Sequence, residues 1–319
     1  MLNLKGLAWE EKAMFDKILR RFQPPKRSGA GLPESIADWL NLIERARLEG
    51  RLSAHAEKLV KAHDLSPKAH AVNAFAADIM LRARERLTAM STNADANLDS
   101  VIDELVKWKT ALQCGNTHDV SKGYFHDAEH VIDLQWHQII MPLIRELDFT
   151  TVLDLACGHG RNTEFLRRLT KEIHVVDINR SCIEACRERF GEMLEGTRFH
   201  YHVTDGNHLR MIADGSISLV YTWDSMVHFD KLIVRDYVAE IARVLRSGGS
   251  AFLHHSNYGA VSPDSDWASN PGTRSDMSAE LMRDYAIACD LAVASQHIQG
   301  RAEGWGLDEL DCVSILQKP

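Results

Sequence analysis

From residue 150 onward the chain switches repeatedly between two periodicities, and that switching leaves few folds open to it. Seven short β-branched or apolar runs, TVLDLA, EIHVVDI, RFHYHV, ISLVYTW, SAFLHH, LAVASQHI and DCVSILQ, read as strands. Helical segments fit between most of them: NTEFLRRL, CIEACRERF, VRDYVAEIARVL and AELMRDYAIAC. Strands and helices in turn give an α/β architecture, a mostly parallel sheet covered on both faces. The last two runs are joined by the turn-rich GRAEGWG rather than by a helix. They are expected to pair as a hairpin, which makes one strand antiparallel.

Residues 1 to about 148 lack this switching and read as helices throughout. Pro33 starts a periodic stretch, PESIADWLNLIERARLEG, that stops at Gly50 as a helix should. Ser66-Pro67 opens another, and LDSVIDELVKWKTAL has apolar residues at three and four spacing. QPPKRSGAGLP (23–33) reads as a linker. The expected division is an all-helical region over 1–120 and an α/β domain over 121–319. Residues 1–90 hold 16 Lys and Arg against 11 Asp and Glu, whereas the remainder holds 21 against 34. A chain that grips nucleic acid puts a basic stripe over its working surface, so the acidic α/β half argues against that partner. Apolar stretches such as IIMPLI are far too short to span a bilayer. The opening MLNLKGLAWEEKAMF carries charges where a signal peptide needs an unbroken apolar segment, so a cytoplasmic location is expected. The six cysteines include no CxxC pair, which fits a reducing compartment, and no metal site is expected. Cys182 and Cys186 lie four apart on an expected helix, where they could meet on one face.

Directly after the first strand run comes DLACGHG (154–160), a glycine-rich turn. In open α/β sheets ligands sit beyond the carboxyl ends of the strands, where the strand order reverses. Gly158 and Gly160 let the backbone approach a ligand, and Ala156 is tolerable if its position does not require positive φ. A dinucleotide site uses the full GxGxxG, and the third glycine is absent here. The acids decide more. Asp177 ends the second strand, where a carboxylate can accept two hydrogen bonds from a ribose diol. Asp205, in HVTDGN, ends the third strand, within reach of an adenine amino group, with Asn207 close behind.

The ordered set LDLACGHG, VVDIN, TDGN, YTWDSMVHF and RVLRSGGSAFLHHSN resembles the class I S-adenosylmethionine-dependent methyltransferases. The resemblance covers residues 150–319 and implies a Rossmann-like sheet of seven strands with a late antiparallel strand. It implies S-adenosylmethionine as cofactor and S-adenosylhomocysteine as product. Carried over, Asp154, Ala156, Gly158 and Gly160 line the methionine end, Asp177 with Ile178 holds the ribose, and Asp205 and Gly206 flank the adenine. Trp223 and Tyr124 join the expected cofactor neighbours, Tyr124 because a helix before the first strand closes over the cofactor in related enzymes.

Methyl transfer to a hydroxyl needs in-line alignment and a base, and histidine suits that role near neutral pH. Asp224 and His228 follow the fourth strand run, and His254, His255 and Asn257 end the fifth. Alternation sends His254 and His255 to opposite faces. His228 is the first choice for base, His255 the second, with Asp224 beside them. Trp136, His137, Asn257 and Arg274 are candidate substrate contacts, and Trp267 belongs to the same long polar loop as Arg274. The fourth strand ends in WDSM, not the [DN]PP[YF] of nucleic-acid amino methyltransferases. The leading expectation is O-methylation of a small molecule, a sugar or natural-product-like metabolite, in the hands of a soluble enzyme. The alternatives are N-methylation of an amine or amino sugar, methylation of a protein, and a partner-binding scaffold with a vestigial site. The helical region is a candidate homodimer surface.

Overall fold

The computed structural model describes residues 36–62, 82–83, 85–87, 89–90, 98–120, 122–262, 270, 273–300 and 307–319. The chain divides into two compact units, Met1–Asp119 and Val120–Pro319. In the first, the described residues form helices α1 (Ile36–Leu48), α2 (Ala54–Ala62) and α3 (Leu98–Val120). Gly50 ends α1 at φ +65°. Its N–H and that of Arg51 donate to the carbonyls of Arg47 and Ala46, which satisfies the last turn. Trp39, Leu40 and Ile43 pack with Leu59, Val60, Val101, Ile102, Leu105 and Val106 into one apolar cluster. The 23–33 linker and the start of the helix expected at Ser66 lie outside the described residues. No described helix is long and apolar enough to cross a membrane.

The second unit opens with α4 (Lys122–Gln135), which passes through a π turn (Trp136–Ile140) into α5 (Met141–Ile144). Strands and helices then take turns: β1 (Val152–Leu155), α6 (Thr163–Leu166), β2 (Glu172–Asp177), α7 (Arg180–Phe190), β3 (Met193–Leu194) and β4 (Thr197–Val203). Next come β5 (Ile217–Thr222), a 3-10 turn (Met226–His228), α8 (Lys231–Val244), β6 (Leu245–Ser256) and α9 (Tyr258–Val261). The unit closes with α10 (Ala279–Ala288), β7 (Ala292–Ile298) and β8 (Asp311–Gln317).

The sheet order is β3-β4-β2-β1-β5-β6-β8-β7. β4, β2, β1, β5 and β6 are parallel, and β8 runs antiparallel to both β6 and β7. All seven expected strands form, and the hairpin expected from the last two is present. The eighth strand, β3, corrects the expected count of seven. Two residues carry no readable period, and β3 exists because Glu195 (φ +50°) and Gly196 (φ +86°) make a tight turn that folds it antiparallel onto β4.

Two apolar layers enclose the sheet. Leu153, Leu155, Val220 and Leu253 face Val234, Tyr237, Val238 and Ile241 of α8 and Met282 of α10. Val152, Leu219, Tyr221 and Phe252 face Trp136, Ile140, Leu166, Ile183 and Phe190 on the other side. Chain order runs outward from β1 in both directions, so the strand order reverses between β1 and β5 and a crevice opens beyond their carboxyl ends.

Gly160 belongs to this packing. A Cβ there would meet Phe190 Cε2 at 2.5 Å and Cys186 Sγ at 3.1 Å, at φ +80°. Its bare backbone therefore admits α7, where the sequence suggested room for a ligand. Gly160→Ala is expected to lose about 2–4 kcal/mol in urea unfolding, from overpacking plus the left-handed backbone. Gly215→Ala, at φ +62° with nothing within 4 Å, is expected to lose only about 1–2 kcal/mol. Equal losses at the two positions would refute the packing role.

Candidate active site

The turn after β1 is built from left-handed residues. Ala156, Gly158 and Gly160 have φ of +58°, +54° and +80°. The condition under which alanine was expected to be harmless is therefore not met, and Ala156 carries roughly 1–2 kcal/mol of backbone strain. Hydrogen bonds hold the turn in place. Gly158 N–H donates to Asp177 Oδ2 (3.0 Å), and Cys157 N–H to the Val176 carbonyl (3.1 Å). Ser225 Oγ, just past β5, donates to the Ala156 carbonyl (3.0 Å). Asp177 also accepts from Asn179 N–H at 2.8 Å, so its carboxylate clamps the turn to the end of β2. Cys186 lies 3.9 Å, sulfur to sulfur, from Cys157 in this turn.

Asp154 is buried and accepts from Thr163 Oγ1 at 2.6 Å. Burial, reinforced by the Asp177 charge and opposed by Thr163 and Arg161, raises its carboxyl to about 7. Through Thr163 it ties the end of β1 to the start of α6. Asp205 is half-buried after β4, and Gly206 takes φ +99° with its N–H on Thr204 Oγ1 (3.3 Å). Asn207 turns to α8, where it donates to Asp236 (2.9 Å).

Beyond β5 the chain bends at Asp224, again left-handed at φ +58°. Asp224 pairs with Arg161 at 3.2 Å, and its N–H donates to His254 Nδ1 at 3.0 Å. Burial would raise the Asp224 carboxyl, but Arg161 and the imidazoles of His254 and His228 outweigh it and hold it below the usual range. His228 sits with Nδ1 3.1 Å from the Thr273 carbonyl and 3.0 Å from Thr273 Oγ1. A carbonyl only accepts, so the proton belongs on Nδ1 and the lone pair on Nε2. Burial first, then Arg274, pushes His228 below its ordinary 6.5.

Arg274 is the anchor of this end. It is buried and makes a bidentate pair with Asp311, Nε to Oδ1 and a terminal nitrogen to Oδ2, both at 2.7 Å. His254 Nε2 lies 3.5 Å from the same carboxylate. Burial would raise Asp311, and Arg274 and His254 together hold it far below the usual range.

Several expected contacts therefore take other positions. His255 points to the opposite face from His254, with Nδ1 on the Ser256 carbonyl and Nε2 on Ser314 Oγ, both at 2.8 Å. Burial lowers it to about 4, so it is a neutral core histidine with both nitrogens committed. The ring beside Asp224 is His254. Asn257 is a staple: it donates to the Glu309 carbonyl (3.0 Å) and accepts from Ala279 N–H (2.9 Å). Arg274 is spent on Asp311 rather than presented to a substrate. Trp136 is buried against Phe165 (centroids 4.9 Å) and Tyr221 (6.2 Å), and exposed His137 pairs with Asp133 on its own helical turn. Trp223 is buried between Phe252 and His254, with its indole N–H on Gln135 Oε1 (3.3 Å). Ile178 is half-buried beside Asp177. The Tyr124 side chain and Trp267 lie outside the described residues. Arg161, Asn179 and Asp311 were missed. Arg161 had a signal, since it follows the glycine turn directly, whereas Asp311 opens the last strand with nothing to mark it.

Residues 152–249 match a family model described as a methyltransferase domain. The match begins at β1 and runs into β6, and it takes in the turn, Asp177, Asp205, Asp224 and His228. The chain resembles a solved S-adenosylmethionine-dependent methyltransferase from Clostridium acetobutylicum, with 16% identity over 63% of this chain and 99% of that one, at a TM-score of 0.49. A Pyrococcus horikoshii protein aligns with 20% identity over 64% and 96% of the two chains (TM-score 0.46). Magnesium protoporphyrin IX methyltransferase from Synechocystis, with bound S-adenosylhomocysteine, aligns with 11% identity over 64% and 97% (TM-score 0.47). No curated protein matches the sequence.

Residues 152–249, from β1 into β6, thus make up a methyltransferase domain. Its cofactor is S-adenosylmethionine. The residues present suit that molecule. A ribose diol offers two hydroxyl donors, and the end of β2 holds acceptors for them. The Asp177 carboxylate has more lone pairs than its two main-chain donors use. Asn179 Oδ1, buried two residues on, has no hydrogen-bond partner in the protein.

Asp177→Ala is expected to weaken S-adenosylmethionine binding by about 1–3 kcal/mol in calorimetry. Unchanged binding would overturn the ribose assignment. Asp154 gives a second test. Its folded value is raised from 3.8 to about 7, so its contribution to stability is full at low pH and is lost as pH rises through about 7. Asp154→Asn cannot ionise. Its melting temperature relative to the parent chain is therefore expected to rise between pH 5 and pH 8. A difference independent of pH would mean that Asp154 stays ionised in the fold.

Proposed function

We propose that this enzyme methylates a hydroxyl of a small molecule, a sugar or natural-product-like metabolite, with His228 as the general base. The observation that carries the proposal is the Thr273 carbonyl against His228 Nδ1, which orients a basic Nε2 in a site built around Asp224 and Arg161. Bound S-adenosylmethionine supplies an electrophilic methyl group on a positively charged sulfur, which leaves as a neutral thioether. The protein's part is alignment and proton removal. Positioning of this kind contributes on the order of 7–11 kcal/mol. As the carbon–oxygen bond forms and the carbon–sulfur bond breaks, the hydroxyl proton passes to His228 Nε2. The imidazolium so formed lies near the Asp224 and Asp311 carboxylates, both of which favour its charge. Arg161, paired with Asp224 at the same crevice, suits an acceptor that carries an anionic or hydroxyl-rich group.

His228→Ala is expected to lower turnover by about 10²–10⁴, and a loss below about fivefold would favour an amine acceptor, which attacks without a base. In the parent enzyme the acid limb of kcat/KM should fall below pH 6.5, since the imidazole is depressed from its ordinary 6.5 and stays neutral above that point. The acceptor class is tested by incubating the protein with methyl-labelled S-adenosylmethionine and an extract of the cells that make it. Label in the small-molecule or saccharide fraction is the expected result. Label in protein or nucleic acid would replace this reading with a macromolecular substrate.

A further inference from the structure

On the face of the sheet that carries Val176, where β2 pairs with β4, four side chains with metal-ligating atoms come together. The parallel register pairs His174 with His200 and Val176 with His202, and Glu172 precedes His174 by two residues. Strand alternation puts Glu172, His174, His200 and His202 on one face. His174 stacks on His200 (centroids 4.6 Å, planes 18° apart) and on His202 (5.3 Å, 10°). His200 Nε2 lies 2.9 Å from Glu172 Oε1, and His174 Nδ1 lies 3.1 Å from His202 Nε2. One ligand atom from each of Glu172, His174 and His200 lies within 4.8 Å of the other two.

We propose that Glu172, His174 and His200 bind a divalent transition-metal ion of the zinc class, with His202 orienting His174. Two imidazoles and one carboxylate, with no thiolate, suit a borderline ion such as Zn²⁺, and imidazole donors discriminate against Mg²⁺ and Ca²⁺. The donors stand on paired strands, which fixes their spacing better than a loop would. The ligand-bearing face is open to entry, since the His200 and Glu172 side chains are 33% and 45% exposed. The ion takes the place of the proton shared between His200 and Glu172, and that proton is released to solvent. A ligating imidazole usually donates its other ring N–H to a neighbouring acceptor, and His202 Nε2 stands in that position, 3.1 Å from His174 Nδ1.

The site is distinct from the cofactor crevice. Glu172 lies five residues before Asp177, about 16 Å along the strand. An ion here cross-links β2 to β4, the two strands whose carboxyl ends lead into Asp177 and Asp205. This runs against the sequence expectation of no metal.

The test is titration of the full chain with zinc chloride, with magnesium chloride as control, followed by calorimetry and by the visible spectrum of the cobalt-loaded protein. One Zn²⁺ per chain is expected, with no response to Mg²⁺. Binding should weaken at least about tenfold in His200→Ala and in Glu172→Gln, while S-adenosylmethionine affinity stays as in the parent. Cobalt should give visible ligand-field bands without a thiolate charge-transfer band. Zinc binding that survives both variants, a thiolate band, or no stoichiometric binding would overturn the proposal. If both variants fail to fold, the cobalt spectrum of the parent chain decides by the same criteria.

Discussion

The bidentate pair between Arg274 and Asp311 is the interaction on which the reactive end of this site depends. Two charges buried together are costly to desolvate, and such a pair is tolerated only when its geometry is good and its remaining atoms are satisfied. Here it does more than pair. Asp311 opens β8, which lies between β6 and β7. Arg274 ties the returning chain to that strand, and Thr273, next to it, holds His228. The same carboxylate faces His254, whose Nδ1 takes the Asp224 N–H. Two imidazoles and the bend at Asp224 thus share one anchor, 37 residues from Arg274 along the chain. Removing one partner leaves a buried charge uncompensated, which in such cases costs about 3–5 kcal/mol.

The second constraint is strain. Ala156 and Asp224 both hold left-handed backbone, at φ +58° in each case, and they stand at the carboxyl ends of β1 and β5. Each costs on the order of 1–2 kcal/mol, and residues of this kind persist where the surroundings over-determine them. The surroundings do so here. Ser225 Oγ on the Ala156 carbonyl links one bend to the other, His254 takes the Asp224 N–H, and Arg161 takes its carboxylate. The crevice at the switch point is bounded by two strained bends bonded to each other.

What could be read from the sequence follows from how far each feature reaches. Strand and helix periods are local, so all seven long strands and the helices between them were legible, whereas β3 was too short to have a period. The glycine turn and the acids at strand ends were legible because each lies directly after a strand. Side-chain direction was harder. Alternation separated His254 from His255 but could not say which faces Asp224, because that depends on β8 supplying Ser314 to one and Asp311 to the other. Arg274 and Asn257 were read as substrate contacts for the same reason, since their partners lie on distant segments. Trp136 looked available because amphipathic spacing does not reveal the π turn that carries it inward against Phe165. The histidines of β2 and β4 looked unrelated because each stands alone within its own run, and only the strand register makes them neighbours.

Four strands deliver an aspartate to one end of the sheet, and the four are not equivalent. Asp154 meets a hydroxyl in a buried setting and is raised to about 7, while Asp224 meets a guanidinium and is held below the usual range. Asp177 meets two main-chain N–H groups, and Asp205 stays half-exposed. Part of the rise at Asp154 comes from the Asp177 charge, so the row is crowded enough for its members to sense one another. A row of that kind relaxes when a positive charge enters it, because an opposite charge nearby favours the ionised form of a carboxyl. A sulfonium is such a charge, and it is lost once the methyl group has moved. The acidic balance of residues beyond 90, which in the sequence argued only against a nucleic-acid partner, is thus partly concentrated where a cationic ligand gains most from it.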